Sequence, residues 1–106
     1  PAIARPQKIG VMDREGWVAY ANLGCLFVKT FTYVPGAAYP DWGCSMETFT
    51  NDTMLEVETL GPLVTLQPQA TVEHVENWWL FKDVPLPAND ADVDMHILPR
   101  IAQTRA

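Results

Sequence analysis

Apolar and polar positions alternate over short distances along this chain and are cut repeatedly by proline and glycine. That is the pattern of strands joined by turns rather than of long helices. Residues 8–12 and 17–21 are short apolar runs separated by Asp13-Arg14-Glu15-Gly16. The tetrapeptide ends in a glycine able to turn left-handed, so the two runs are expected to form a hairpin. Residues 25–34 carry Phe27, Val28, Thr30, Phe31, Thr32, Tyr33 and Val34, β-formers on both parities. A strand of that kind is expected at the centre of a sheet, covered on both faces. Its one charge, Lys29, can lay its stem along apolar surface while the ammonium reaches water or a carboxylate.

The pattern continues in the same style. Pro35-Gly36 and Tyr39-Pro40 mark a loop, residues 44–50 form the next strand, and Asn51-Asp52 is a turn candidate. Residues 54–60 alternate, with Leu55, Val57 and Thr59 on one side and Met54, Glu56 and Glu58 on the other. Gly61-Pro62 ends that run, and residues 63–66 and 71–82 read as two more strands broken by Pro68. About seven short strands predict an all-β chain, an antiparallel β-sandwich in one domain. Residues 1–7 read as a loose lead-in. In the tail, residues 88–106, Asn89 or Asp90 can cap a short C-terminal helix over 90–98 that Pro99 stops.

Composition narrows the function classes. The chain has 106 residues, 48% hydrophobic and 19% charged, which is that of a folded globular domain. Its net charge is −6 with only seven scattered basic residues, so a nucleic-acid partner is not expected. No apolar run is long enough to span a membrane and no signal-like segment opens the chain, so a membrane partner is not expected and the cytoplasm is the expected location. Cys25 and Cys44 make neither a disulfide framework nor a zinc spacing and are expected to be small buried thiols. No phosphate loop, nucleophile elbow or metalloprotease motif is present, and neither a cofactor nor a metal site is expected.

Glu47 is the candidate that stands out, a carboxylate inside an otherwise uncharged strand. A two-residue turn at Asn51-Asp52 would place it opposite Glu56, with Glu58 on the same face. Three carboxylates on one sheet face need solvent, a cation or shared protons. Two accounts stand side by side: a general base or hydroxyl-binding acid in a concave face, or a solvated face bridged to residues such as Lys29 or Lys82. His74 could serve as acid, base or ligand-holding donor, or be a hydrogen-bonded structural strand residue. His96 falls in the expected helix and reads as surface or packing. Of the four tryptophans, Trp42 lies in the loop just before the Glu47 strand, where its ring could stack on a sugar. Trp78 and Trp79 are adjacent in a strand, so they point to opposite faces.

Gly43-Cys44-Ser45-Met46-Glu47-Thr48, the polar turn at Asn51-Asp52, Leu66-x-Pro68, Val72-Glu73-His74 and the aromatic finish at Trp79 and Phe81 carry a further signal. This order resembles the C-terminal end of the aldose 1-epimerases, in the galactose-mutarotase-like superfamily, and is similar to an uncharacterised bacterial branch of it. The match covers residues 43–83 and departs from the family at Phe49 and Gln69. The resemblance implies a β-sandwich, a carbohydrate or similar polyol as ligand, and Glu47 as the base that takes the anomeric proton. In a sugar-binding reading of the residues, Trp42, Glu56 and Glu58 would line the ligand site with His74 as a further candidate, although the family position that His74 matches is a structural one. The family's histidine acid lies outside the matched segment, so catalysis is expected to be vestigial or completed in an oligomer, and a homodimer would cover exposed sheet. The other readings are an aldose epimerase acting as an oligomer and a non-catalytic homo-oligomeric interaction scaffold.

Overall fold

A computed structural model describes residues 5–105. Among them are six strands: β1 (Gln7–Val11), β2 (Trp17–Asn22), β3 (Cys25–Thr30), β4 (Met46–Thr50), β5 (Leu55–Thr59) and β6 (Asn77–Lys82). They form two antiparallel three-stranded sheets, ordered β1-β4-β5 and β2-β3-β6. The protein is mostly β, and a 15-residue helix, α1 (90–104), closes it. The chain divides into two compact units, one holding β1, β4 and β5 and the other β2, β3, β6 and α1.

In the first unit β4 is the central strand, with β1 on one side and β5 on the other. The connection to β5 is longer than the two-residue turn the sequence predicts. Asn51 Oδ1 accepts from Thr53 N–H (2.9 Å), Thr53 Oγ1–H (3.1 Å) and Met54 N–H (2.8 Å), so the side chain organises a four-residue loop. The register therefore pairs Thr50 with Leu55 and Glu47 with Glu58, while Glu56 stands opposite Phe49. A shift of two residues leaves every side chain on its expected face.

The expected hairpin between the first two runs does not form. Its turn exists: Asp13 Oδ1 accepts the N–H groups of Glu15 (3.1 Å) and Gly16 (3.2 Å), and Gly16 has φ 78°. However, β1 pairs with β4 and β2 with β3. A tighter local signal wins, because Leu23 (φ 53°) and Gly24 (φ 74°) make the double left-handed turn that joins β2 to β3. Ser45, fully buried, latches the Asp13 turn to β4: its Oγ accepts from Asp13 N–H (2.7 Å) and donates to Asp13 O (2.9 Å).

Two expected strands are also shorter or missing. Residues 63–66 form no ladder; Leu63, Val64 and Leu66 are all exposed, so neither parity has a face to bury. Residues 71–76 are irregular too, and the last strand starts only at Asn77.

In the second unit β3 is central, as expected, but it ends at Thr30. Leu26, Val28 and Thr30 are buried while Cys25, Phe27 and Lys29 are half-buried. Leu26 and Val28 form the core with Val84, Ile97 and Ile101, packed around by Trp17, Ala19, Ala21, Phe81 and Val93. Val93, Ile97 and Ile101 fall four apart and make one stripe of α1. Asn89 caps the helix, accepting from Asp92 N–H (2.9 Å), and Asp92 reaches back to Ala88 N–H (3.0 Å). Pro99 does not stop the helix. The turn before it, Val93–Ile97, is widened, with Leu98 N–H bonding to Val93 O, and the helix resumes over Leu98–Thr104 with the proline in its first turn.

Candidate functional site

Gly10 of β1 sits directly across from Glu47 of the central β4. Strand alternation puts Lys8, Gly10, Glu47, Phe49, Glu56 and Glu58 on one face of the sheet. Because Gly10 has no side chain, a hollow opens beside Glu47; a Cβ there would meet Cys44 Sγ at 2.5 Å and Glu47 Cγ at 3.4 Å. Lys8, Gly10, Asp41, Trp42, Cys44 and Glu47 line a cavity of about 420 Å³.

The turn at Pro40–Gly43 supplies one wall of this cavity. Asp41 (φ 53°, ψ 49°) and Trp42 (φ 61°, ψ 35°) are both left-handed, and Gly43 follows at φ 101°. Aspartate tolerates that conformation better than most residues; tryptophan does not. Pro40 fixes the entry, Cys44 N–H closes the turn on Pro40 O (2.8 Å), and Cys44 Sγ–H donates to Asp41 O (3.2 Å). The Trp42 side chain is left fully exposed at the cavity.

Glu47 is the buried group of the set, its side chain only 5% exposed. Lys8 Nζ lies 3.3 Å from Glu47 Oε1 and 3.7 Å from Glu58 Oε1, so one ammonium bridges the like charges that the register places opposite each other. A hydrogen bond with Asp41 and burial raise the Glu47 carboxyl above its ordinary range, outweighing the pull of Lys8 in the other direction. Lys8 is half exposed and divides its charge between two carboxylates, which weakens that pull. Lys8 itself is raised, first by its hydrogen bond to Glu47 and then by the charge of Glu58. Burial, with Glu47 and Asp41 nearby, raises the Cys44 thiol, which makes it a poor nucleophile.

The expected site residues separate. Glu47 and Trp42 line the same cavity, and Glu58 reaches its edge through Lys8. Glu56, exposed and opposite Phe49, is outside the lining. His74 is elsewhere: it lies in irregular chain, hydrogen-bonds Thr59 Oγ1 (2.7 Å) on the sheet's other face, packs on Gly61 and tilts against Phe31. The bridging cation is Lys8 rather than Lys29 or Lys82. Lys29 instead pairs with Glu76 (3.5 Å) and lies over the Trp78 ring. Both cysteines are free thiols, half-buried rather than fully buried, and only Cys25 is in a strand.

Lys8, Gly10, Asp41 and Cys44 also line the cavity without being singled out as site residues by the sequence pattern. Gly10 carried a signal, since an interior strand glycine often marks a close approach. Lys8 carried none, because only the β1–β4 register brings it to Glu47. Among the described residues no group of three or more His, Cys, Asp or Glu is placed to hold a metal ion, and no helix is long and apolar enough to cross a membrane. Set against known protein families, curated proteins and solved structures, the chain matches none of them.

Proposed function

We propose that the Glu47 cavity binds a carbohydrate or similar polyol, on a reduced mutarotase-like β-sandwich in which catalysis is vestigial. One observation carries this reading: a buried carboxylate and a fully exposed tryptophan line one cavity. A pyranose has an apolar C–H face suited to an aromatic ring and hydroxyls suited to charged hydrogen-bond partners. Trp42 offers the first, and Lys8, Asp41 and Glu47 offer the second. The resemblance of residues 43–83 to the end of the aldose 1-epimerases supports the same ligand class and assigns Glu47 as base.

A panel of monosaccharides titrated against tryptophan fluorescence tests the reading. Saturable change is expected at millimolar concentration, and Trp42→Ala should abolish it. No change in the wild type up to roughly 50 mM would overturn the proposal. Polarimetry on fresh α-galactose separates binding from turnover: Glu47→Gln slows a true epimerase and leaves a vestigial one unchanged.

The second reading, a homo-oligomeric scaffold, is favoured by β6. Among the described residues this strand pairs only with β3, and it exposes Trp78 and Leu80 at 66% and 72%. A hydrophobic edge of that kind is suited to pairing with a second copy.

A further inference from the structure

β6 carries backbone polar groups along both of its edges, and among the described residues only β3 pairs with it. Which groups lie on the other edge follows from the ladder. Phe31 N–H donates to Gly16 O (2.9 Å), one step beyond the Trp17–Thr30 pair, so Gly16 and Phe31 are a hydrogen-bonded pair of the β2–β3 ladder. Alternation then turns the peptide groups of Cys25, Phe27 and Lys29 toward β2, and those of Leu26, Val28 and Thr30 toward β6. The latter three stand opposite Phe81, Trp79 and Asn77, so Trp78, Leu80 and Lys82 aim their N–H and C=O groups away from the sheet. Asp83, at φ 60°, ends the strand just after them. The sheet's other edge, β2, is half-buried along most of its length, whereas β6 is exposed at every position but Phe81. An exposed apolar strand with such an edge is a template for another strand.

We propose that two copies of the chain join β6 to β6, antiparallel about a twofold axis at Leu80, in one six-stranded sheet. The inference rests on the homo-oligomer reading for the second copy and adds the surface and its register. Outward peptide groups must oppose outward ones, so the axis passes through a residue and never between two. At Leu80 it opposes Trp78 to Lys82, Leu80 to Leu80 and Lys82 to Trp78, making about six hydrogen bonds inside the strand. An axis at Trp79 or Phe81 makes about four, and the first of these sets Asn77 against Phe81. Side chains agree with the Leu80 axis. On one face Leu80 meets its own copy, and Lys82 of the partner reaches Trp78. That indole donates its Nε1–H to Glu76 Oε1 (3.0 Å), so the incoming ammonium meets an aromatic ring with a carboxylate attached to it. Glu76 holds Lys29 (3.5 Å) through its other oxygen, and a carboxylate has acceptor capacity for both cations. On the other face Trp79 meets Phe81 of the partner, a cross-strand aromatic pair. Lysine is never set opposite lysine.

Cross-linking tests the register. Opposed residues of a hydrogen-bonded pair have Cα atoms about 5.5 Å apart, within disulfide reach. Under mild oxidation Leu80→Cys is expected to give a covalent dimer, with peptide mapping joining position 80 of both copies; the map is needed because Cys25 and Cys44 are free thiols. The two copies of Trp79→Cys lie on a diagonal about 7–8 Å apart and are expected to link about tenfold more slowly. Equal or reversed rates would overturn the register. Leu80→Pro removes one outward N–H and none that β3 uses, a change that edge strands accept. It is expected to return the light-scattering mass from two chains to one with unchanged far-ultraviolet circular dichroism. A dimer that survives Leu80→Pro would overturn edge pairing while the homo-oligomer reading stands. A wild-type monomer at micromolar concentration would end both.

Discussion

Trp42 keeps its ring in water while its backbone sits at φ 61°. A left-handed L-residue costs about 1–2 kcal/mol, and glycine pays roughly 0.5–1 kcal/mol more backbone entropy than a residue with a Cβ. Trp42→Gly should therefore stabilise the protein by about 0.5–1 kcal/mol in urea denaturation while removing polyol binding. A destabilised variant would show that the ring packs rather than waits for a ligand. Glu47 makes a pH prediction. Its folded carboxyl is raised from 4.5, so its stabilising contribution is complete below that value and is lost as pH rises through the raised one. Lys8 is raised from 10.5, so its contribution persists until pH climbs past that value. Between them, only the Glu47 loss falls in the mildly acidic window. Glu47→Gln should flatten the stability profile just above pH 4.5, and denaturation midpoints of both proteins across that window check it. At this scale Glu47 was legible as a charge inside an apolar strand. Lys8 was not, because nothing local to Gln7-Lys8-Ile9 encodes its partner.

Elements were legible where a local signal was undivided. The central β3, the Asn89 cap and the Asp13–Gly16 turn all follow from neighbouring residues. Structure and expectation part where two local signals compete. Asn51 could open a two-residue turn or gather three donors into a longer loop, and three hydrogen bonds outweigh brevity. Asn51→Ala removes all three and should cost about 1–2 kcal/mol, read as a lower urea midpoint with unchanged slope. An unaffected midpoint would mean the β4–β5 register is fixed elsewhere. Pro99 was a stop by propensity, yet the widened Val93–Ile97 turn lets the helix run on to bury Ile101. Burial of that side chain, worth about 1.5–3 kcal/mol, explains why packing overrode the breaker.

At the scale of the whole molecule, the mostly β character and the antiparallel pairing were readable from short strands and frequent turns. Six strands form among the described residues rather than about seven, because residues 63–66 have strand composition but no face to bury and no ladder. The division of six strands into two sheets was not readable, since β1 takes a partner far along the chain while β2 takes its neighbour. The exposed β6 edge belongs to this scale. Light scattering at micromolar concentration is expected to give twice the chain mass, and Trp78→Lys with Leu80→Lys to return it to one; a wild-type monomer would remove the dimer. The central claim is tested most directly by ¹H–¹⁵N NMR during titration with a monosaccharide panel. Binding at the cavity should shift the amides of Lys8, Gly10, Asp41 to Cys44 and Glu47, together with the Trp42 indole. Saturation with those signals unmoved, or no shift anywhere in the spectrum, would contradict it.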